Sequence, residues 1–324
     1  MNARTSSFGP AALVAAAVIA LTACGGGGDD DEQRVVPTAY PDVTDTSHST
    51  VQVDNVFEGF FSAKSLHQGA PMVDYFAPDP VLYIDAQSYG NWPSRASLLA
   101  VWTSALFAGG PPTAKSYPLR VVGDCHSAVV EFVDTPDLLG ADLRFFGSVT
   151  FDANCKIVRW LDYADNRSAN RAPRAGTPPT DYHDSVENTT ARMKQVSQSM
   201  QAALSAGDAA AAAALMTPDT IYEDMALHTR IEGQVEIQRY LARALPLVPF
   251  GGTAAVAHVS GSDEGGAYEW NANAAAAPLT RGITILELDA AGKVTRMSVM
   301  FDSARLSFAS YQTLVGLAAE HALP

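Results

Sequence analysis

Three ionisable side chains in the second half of the chain have the chemistry for proton transfer: Asp224, His258 and Asp302. Each lies within or next to a stretch rich in apolar residues, and apolar surroundings disfavour the charged form of a carboxylate. The pKa of a buried acid therefore rises towards the range in which it exchanges protons near neutrality. The hydroxyl group of Tyr222 could orient a carbonyl group beside these residues. Their pattern predicts acid/base chemistry that requires no cofactor.

Each candidate also has a structural interpretation, and the sequence leaves both open. Asp302 precedes a predicted helix and could be its N-cap, while Asp224 follows a predicted strand and could cap a turn. His258 could be a strand histidine that pairs with a neighbour. Tyr222 and Trp270 are of the aromatic type that often fills a core. Alternation does not decide which way Asp302 points, since both faces of its strand can be buried.

No metal ligand set or cofactor motif is visible in the sequence. The histidines of the second half are scattered, with no pair four residues apart, at positions 183, 228, 258 and 321. There is no Gly-x-Ser-x-Gly nucleophile elbow, and the glycines at 25–28 belong to an acidic tether rather than a phosphate-binding loop. We therefore expect neither a metal nor another cofactor.

A predicted β-hairpin near the C-terminus positions Asp302 and occurs twice in the chain. Residues 281–306 begin with alternating side chains, break at the glycine-containing segment 289–293 and resume as a second extended run. Residues 147–165 repeat this hairpin. The matched positions, in chain order, are Tyr83 and Asp85 with Tyr222 and Asp224, Glu131 and Phe132 with Glu269 and Trp270, Gly147 with Gly282, and Asp165 with Asp302. A repeat of this length indicates a duplicated domain.

The order of the predicted elements is that of an α+β fold in both copies. Helices come first and antiparallel strands follow, which favours helices packed on one face of a curved sheet. The predicted helices are 51–66, 72–76, 94–107, 190–205, 234–245 and 306–323, with strands at 81–85, across 117–165, at 220–224 and beyond 245. We place the two domains at 48–168 and 187–324, joined by a proline-rich linker at 169–186.

The N-terminal segment predicts export and lipid attachment. Arg4 precedes an apolar run at 11–20 that is too short to span a bilayer, which is the layout of a secretory signal at 1–23. Leu-Thr-Ala-Cys at 21–24 resembles a bacterial lipobox, which implies cleavage before Cys24 and a diacylglycerol on its thiol. An uncleaved signal anchor fits less well, because a flexible tether at 24–47 follows at once. Gly25 implies, by resemblance to such lipoproteins, the periplasmic side of the outer membrane.

The charge of the chain excludes one class of partner. The sequence has 21 Lys and Arg against 35 Asp and Glu, a formal net charge of −14. It therefore lacks the basic character of proteins that bind the phosphates of nucleic acids. We expect contact with the membrane only through the lipid on Cys24.

The two remaining cysteines, Cys125 and Cys155, both lie near predicted strand ends of the first copy. In an oxidising periplasm, a disulfide between neighbouring strand ends is the expected use of such a pair. A metal site is the alternative, but only His126 stands near and no Cys-x-x-Cys spacing occurs. We predict a disulfide.

Residues 200–245 resemble the ketosteroid isomerase and SnoaL-like branch of the nuclear transport factor 2 superfamily. The resemblance rests on Ala-Leu-Ser-Ala-Gly-Asp at 203–208, Leu-Met-Thr-Pro-Asp at 215–219, Tyr-Glu-Asp at 222–224, a glycine before the next helix, and later Asp-Ala-Ala-Gly-Lys-Val at 289–294. It covers the second copy well and the first copy only through the internal repeat. It implies a cone-shaped domain, in which a bent sheet wraps around an interior closed by the helices.

The resemblance also implies roles for individual residues. By alignment, Asp224 takes the position of the proton-shuttling base, Met200 that of a tyrosine that holds the enolate oxygen, and Thr284 that of a neutral acid. A thioether cannot donate a hydrogen bond, and the loss of one oxyanion donor costs about 3 kcal/mol. Ketosteroid isomerisation itself is therefore not expected. His258, Glu269, Trp270 and Asp302 resemble the polar residues that SnoaL-like cyclases place along their strands. Further ligand-binding candidates are Tyr222, Tyr83 and Asp85.

Two functions fit these observations. In the first, the second domain is a cofactor-independent isomerase, lyase or cyclase acting on a small, mostly apolar carbonyl compound in the periplasm. In the second, the protein is a non-enzymatic lipoprotein that binds a small molecule or docks a partner. Superfamily members commonly pair through their sheets, so the resemblance implies an intrachain pseudo-dimer of the two domains. One copy could keep a site while the other, with its bulky Trp92 and Trp102, is structural.

Overall fold

The computed structural model describes residues 44–173, 188–272 and 281–320. The predicted signal peptide, Cys24 and most of the predicted linker lie outside these residues. The tether predicted at 24–47 ends earlier than expected, because Asp45–Ser49 forms a strand, β1. This strand pairs in parallel with a later strand of the first domain.

The first domain begins with helices and continues into a mostly antiparallel sheet. Helices α1 (Val51–Ser65) and α2 (Gly69–Val73) precede the short strands β2 (Leu82–Asp85) and β3 (Gly90–Trp92). There follow α3 (Arg95–Trp102), α4 (Ala105–Ala108), β4 (Ser116–Gly123), β5 (Ser127–Asp134), α5 (Pro136–Leu139), β6 (Leu143–Phe151) and β7 (Ile157–Ala164). The strands form one sheet in the order β1-β4-β5-β6-β7-β2-β3.

The second domain repeats this plan. Its elements are α6 (Ala191–Ser205), α7 (Ala209–Ala213), β8 (Met216–Asp224), β9 (Thr229–Glu232), α8 (Gln234–Ala244), β10 (Ala255–Ser262), β11 (Gly265–Asn271), β12 (Arg281–Leu288), β13 (Val294–Phe301), a 3-10 turn (Ser303–Arg305) and α9 (Phe308–Ala319). The strand order β10-β11-β12-β13-β8-β9 is that of the first sheet without β1. The predicted α+β fold with two tandem cone-shaped domains is confirmed.

Local sequence signals explain where several helices begin. The Ser94 side chain accepts a hydrogen bond from the backbone of Ser97 at the start of α3, and the Ser97 hydroxyl accepts one in return. Thr190 and Asp208 cap α6 and α7 in the same manner, through backbone N–H groups three residues later. None of the helices in the described part of the chain is long and apolar enough to cross a membrane.

The two matched hairpins share the same turn. Asp152 and Asp289 each accept hydrogen bonds from the backbone N–H groups two and four residues later, at 2.8–2.9 Å. Three residues after each aspartate the backbone is left-handed, with φ of +58° at Cys155 and +77° at Gly292. The repeat read from the sequence therefore extends to the hydrogen bonds of the turn.

Both faces of the long strands are buried. Along β12, Thr284 and Leu286 face the helices of their own domain, while Ile283 and Ile285 face the other sheet. The outer faces of the two sheets share one apolar cluster, formed by Ile84, Ala86, Val122, Val129, Phe146, Leu161, Tyr163, Ala267, Ile283, Ile285 and Met300. Period-two alternation thus gives each sheet an inner face towards its helices and an outer face towards the other domain.

Buried ion pairs cross the same inter-sheet surface. The Arg159 guanidinium donates to both carboxylate oxygens of Glu269, at 2.6 and 2.9 Å. Arg120 binds Glu287 of the second domain at 2.6 Å and Glu131 of its own domain at 2.7 Å. Each of these acids has a guanidinium partner, which offsets the cost of removing their charges from water.

The predicted disulfide is present between Cys125 and Cys155, whose Cα atoms are 4.9 Å apart. Cys125 lies in the turn between β4 and β5, and Cys155 lies in the turn between β6 and β7. The bond therefore ties two adjacent turns at one end of the first sheet.

Removal of this disulfide should destabilise the first domain. The C125S/C155S variant is expected to lose about 3 kcal/mol of unfolding free energy, because the unfolded chain is no longer constrained by the loop that the bond closes. Urea denaturation of a chain that begins after Cys24, with and without reductant, measures the loss. Reductant should move wild type onto the curve of the variant; coincident curves for oxidised wild type and the variant would contradict the prediction.

The buried Arg159–Glu269 pair gives a second prediction. R159M leaves the Glu269 charge buried without its guanidinium partner and should cost about 3–5 kcal/mol, whereas R159M/E269L should recover most of that loss. The matched control is R239A, which removes an arginine that is 69% exposed and paired along a helix with Glu236, and it should change stability by less than about 1 kcal/mol. An equal loss in the single and double variants would show that the charge is not the cause.

Candidate functional site

The inner face of β8 carries the carboxylate that best fits an acid/base role. Tyr222 and Asp224 lie opposite Met297 and Val299 of β13 in register. The Tyr222 hydroxyl donates a hydrogen bond to one oxygen of Asp224 at 3.2 Å, and the backbone N–H of Leu227 donates to the other at 3.0 Å. Asp224 therefore also caps the turn that follows β8, so the two interpretations of this residue are compatible.

The surroundings of Asp224 adjust its proton affinity to the neutral range. Burial raises the pKa of Asp224 to about 7, although the hydrogen bonds from Leu227 and Tyr222 favour its ionised form. Burial, and then the neighbours Tyr240 and Asp224, raise the pKa of Tyr222 well above its ordinary value. Near neutral pH, Asp224 can thus take up or release a proton while Tyr222 remains a hydroxyl donor.

Four further polar groups lie in the same core. They are the hydroxyls of Tyr240, Tyr268 and Thr284 and the indole N–H of Trp270, and all four side chains are fully buried. Within the described residues, the Trp270 N–H has no hydrogen-bond partner. The Tyr240 hydroxyl lies beside that of Tyr222, and the Tyr268 hydroxyl lies beside that of Thr284, its register partner on β12. A buried donor without a partner costs about 1–3 kcal/mol, so the Trp270 N–H fits a place where a bound molecule supplies the partner.

The resemblance pointed to Met200 and Thr284 for the donor positions, and the structure adds donors that the sequence did not single out. Met200 is fully buried in this core, on α6. The Tyr240 ring, on α8, lies 5.4 Å from the Tyr222 ring. Tyr268 lies two residues before Trp270 on β11, so the two share a face. Helical spacing and strand alternation place both tyrosines inside, but do not reveal which groups their hydroxyls meet.

His258 and Glu269 do not join Asp224, contrary to the expectation of one shared cavity. They are register partners on β10 and β11, on the outer faces of these strands. Glu269 binds Arg159 and accepts a hydrogen bond from Tyr163 of the first domain at 3.1 Å. Burial alone would raise the pKa of Glu269, but the adjacent Arg159 guanidinium holds it below its ordinary value. The physical reason is alternation: an odd offset from Tyr268 and Trp270 turns Glu269 outwards.

Asp302 also lies apart from Asp224, at the junction between the domains. It accepts hydrogen bonds from the backbone and side chain of Asn166, at 3.2 and 2.9 Å, and caps the 3-10 turn through the backbone of Ala304 at 3.2 Å. Burial raises the pKa of Asp302. The N-cap interpretation thus accounts for its contacts, and the expected catalytic set of Asp224, His258 and Asp302 is not assembled.

The first-domain candidates lie at the position that the repeat implies. Tyr83 and Asp85 are on β2, the counterpart of β8, and both are partly exposed. The Tyr83 hydroxyl donates a hydrogen bond to Asp162 on β7, an acid that sequence reasoning missed. Asp162 lies three residues before Asp165, and Val299 lies three residues before Asp302, the counterpart of Asp165. The second copy therefore has no acid that matches Asp162.

A cleft of about 570 Å³ opens on the second domain, between the end of α6, the loop after α8 and the start of α9. Residues on both sides of Phe250 line it. The Phe250 ring is fully buried and lies 6.1 Å from Trp270 and 6.3 Å from Phe301. Phe250 therefore connects the wall of the cleft to the core that holds Trp270.

No set of three or more His, Cys, Asp or Glu side chains is arranged to hold a metal ion within residues 44–173, 188–272 and 281–320.

Comparison with known proteins places part of the chain in a family. Residues 196–297 match the model of the SnoaL-like domain. No curated protein matches the chain.

Several solved structures are similar to single domains of the chain. A nuclear transport factor 2-like protein of unknown function from Burkholderia xenovorans is 13% identical over 42% of this chain and 95% of its own, with a TM-score of 0.30. A Kribbella flavida protein provisionally assigned as a ketosteroid isomerase is 20% identical over 43% and 91%, with a TM-score of 0.30. A Sinorhizobium meliloti protein provisionally assigned as a polyketide cyclase is 18% identical over 35% and 94%, with a TM-score of 0.28.

The family match covers the helices and sheet that surround Asp224, and the first domain repeats the same strand order. The chain therefore contains a SnoaL-like domain in its second half and is a tandem of two domains of the nuclear transport factor 2-like fold.

Proposed function

We propose that the second domain binds a small, mostly apolar carbonyl compound in its interior and that Asp224 transfers a proton on it. The observation that carries this proposal is the burial of Asp224 beside Tyr222, which brings the pKa of Asp224 to about 7 among apolar side chains. The Trp270 N–H, which has no partner in the described residues, and the hydroxyls of the same core supply the donors that such a ligand needs.

The chemistry follows from these groups. Ionised Asp224 takes a proton from the carbon next to the carbonyl group, and the electron pair of the broken C–H bond moves to form an enolate. Hydroxyls such as those of Tyr240 and Tyr268 donate hydrogen bonds to the enolate oxygen, where the negative charge develops. Return of the proton, at the same or another carbon, completes an exchange or an isomerisation without a cofactor.

The cleft beside Phe250 supports a route into this core. Its lining includes apolar residues between Leu245 and Thr253, and the ring of Phe250 in this segment lies 6.1 Å from that of Trp270. A rotation of that ring would admit a small apolar molecule to the donors.

The alternative is a non-enzymatic lipoprotein that binds a small molecule or a partner. The complete burial of Asp224 and the filling of the core by Met200 and Leu286 favour this alternative. The two functions differ in whether the carboxylate of Asp224 is needed for turnover or only for folding.

The cellular setting is part of the proposal. The Leu-Thr-Ala-Cys motif at 21–24 supports a lipid anchor on Cys24 and the periplasmic side of the outer membrane, and the disulfide suits that oxidising compartment. The apolar outer faces support a monomer in which the two sheets pair within one chain, as in a dimer of single domains.

Proton transfer by Asp224 predicts deuterium exchange at the α-carbons of cyclohexanone, followed by proton NMR in D₂O. Wild type should accelerate exchange, and D224N should reduce the acceleration at least about 100-fold because the base is lost. The matched control D219N, which changes an exposed acid on the same strand, should retain it. Retention of the rate by D224N would exclude Asp224 as the base and leave the binding function.

Burial of Asp224 also predicts a dependence of stability on pH. Since folding raises the pKa of Asp224 above the ordinary value of 3.8 to about 7, its contribution is most favourable near pH 4 and is lost as pH rises to about 7. D224N removes this loss, so its stability relative to wild type should increase over that interval by at most about 1.4 kcal/mol per pH unit. Urea titrations at about pH 4, 5.5 and 7, which are even steps across this interval, measure it; a constant difference would contradict the raised pKa.

A further inference from the structure

A small recess opens at one end of the surface between the two domains. Its lining comes from the loop between β2 and β3, the end of β7, the start of β12 and the turn after β13. Tyr89 and Tyr163 of the first domain and Arg281 and Arg305 of the second are among its lining residues. Its volume of about 20 Å³ gives room for one group of the size of a water molecule. A site of this size accepts a small ion or the head of a small molecule.

The charge of the recess is opposite in sign to that of the whole chain. Its described lining carries two guanidinium groups, of Arg281 and Arg305, and one carboxylate, of Asp302, whereas the chain has a formal net charge of −14. The carboxylate of Asp302 accepts hydrogen bonds from Asn166 and from the backbone of Ala304, and its Oδ2 atom lies 3.7 Å from Nε of Arg305. This distance is longer than that of a hydrogen bond. The lining therefore favours a negatively charged occupant.

A neutral group holds the Arg305 guanidinium beside the recess. The guanidinium donates a hydrogen bond to the Tyr89 hydroxyl and lies over the Tyr89 ring, with its central carbon 5.7 Å from the centroid. The Arg305 side chain is 20% exposed, so it is mostly removed from water. A phenol orients a guanidinium without neutralising its charge, and the loss of water strengthens the attraction of that charge for an anion.

The repeat forms a matching place from the loop after β8, the end of β13 and the residues after β7, and there two methionines replace residues of the recess. Ala86, which also lines the recess, follows β2 as Met225 follows β8. Tyr163 matches Met300, because each follows the residue that pairs with the last residue of β2 or of β8. Both methionines belong to or pack against the apolar cluster between the sheets. The single carbon of the Ala86 side chain therefore leaves space that a methionine takes at the matching place.

The guanidinium of Arg305 is also specific to the recess. Three residues after the matched aspartate, the first domain has Ser168 in place of Arg305. The Ser168 hydroxyl lies 3.0 Å from Nε2 of His228, which takes the place of Tyr89: both residues have a left-handed backbone, with φ of +53° and +60°. The same fold thus forms at the matching place without this guanidinium and without the space beside it. The packing of the sheets accounts for neither, which indicates a role in binding.

We propose that the recess binds a small monovalent anion, of the size of chloride or of the carboxylate of formate, through the guanidinium groups of Arg281 and Arg305. A guanidinium has a permanent charge and several N–H donors, which suit halides and carboxylates alike. The site lies between the outer faces of the sheets and is separate from the interior that holds Asp224. Because residues of both domains line it, a bound anion adds contacts across the junction and stabilises the pairing of the domains.

The test compares thermal unfolding of the full mature chain in sodium chloride, sodium formate and sodium gluconate at equal ionic strength. Equal ionic strength keeps the screening of surface charges the same, and gluconate is too large for a space that holds one water-sized group. Wild type should unfold at a higher temperature in chloride or formate than in gluconate, by an increment that saturates as the concentration rises. The salt that gives the increment identifies whether the recess takes a halide, a carboxylate or both.

Two variants carry the residue of the matching place. A86M fills the recess with a longer side chain and should abolish the increment. R305S removes one of the two guanidinium groups and should shift the increment to concentrations at least about 10-fold higher. The matched control R239A, which removes an arginine that is 69% exposed on α8, should keep the increment.

D224N should also keep the increment, which separates this site from the proton transfer proposed for the second domain. The same difference between salts in wild type, A86M and R305S would show a general salt effect and overturn the proposal, as would the absence of any difference in wild type. If A86M does not fold, the comparison of wild type with R305S decides.

Discussion

The burial of both faces of the long strands is the constraint on which the rest of this structure depends. An isolated cone needs to bury only its inner face, but here the outer faces pack against each other, as Ile285 and Phe146 do. Each strand residue is therefore committed either to the interior of its own domain or to the surface between the sheets. A slip of one residue in register would exchange the two sets, and both cores would be lost together.

The same constraint determines how each buried acid is accommodated. Acids on the outer faces, such as Glu269 and Glu287, meet guanidinium groups of the other domain. The inward-facing acids Asp162 and Asp224 receive hydrogen bonds from tyrosine instead, and burial raises the pKa of both. Ion pairs with arginine therefore join the two sheets, while the two inward acids have raised pKa values.

Short-range pattern in the sequence was sufficient for the fold. The repeated hairpins, the pairing of Cys125 with Cys155 and the order of helices and strands all follow from spacing, turn residues and the internal repeat, and all are present in the structure. Asp224 lies on the same inner face as Tyr222, because residues two positions apart along a strand share a face. For these features, local chemistry and tertiary structure agree.

The composition of the sites was less predictable, because it depends on which face a residue occupies. In a sheet with one solvated face, a polar residue marks the outside, but here His258 and Glu269 are buried outside and Asp224 is buried inside. The polarity of a residue therefore does not show which face of the sheet it occupies. Asp162 was missed for a related reason: comparison of the two copies draws attention to residues that match, and Asp162 is a position at which they differ.

That difference follows from the duplication itself. The outer faces must remain complementary, since a change at Arg159 leaves Glu269 buried without its partner. The inner faces contact only their own helices, so each interior can change alone as long as it stays filled. The first interior has aromatic rings and a second acid, and the second has several buried hydroxyls and a single acid at the matching place. The two interiors therefore share one backbone plan and differ in their polar groups, and it is the polar groups of a site, rather than its fold, that determine chemistry.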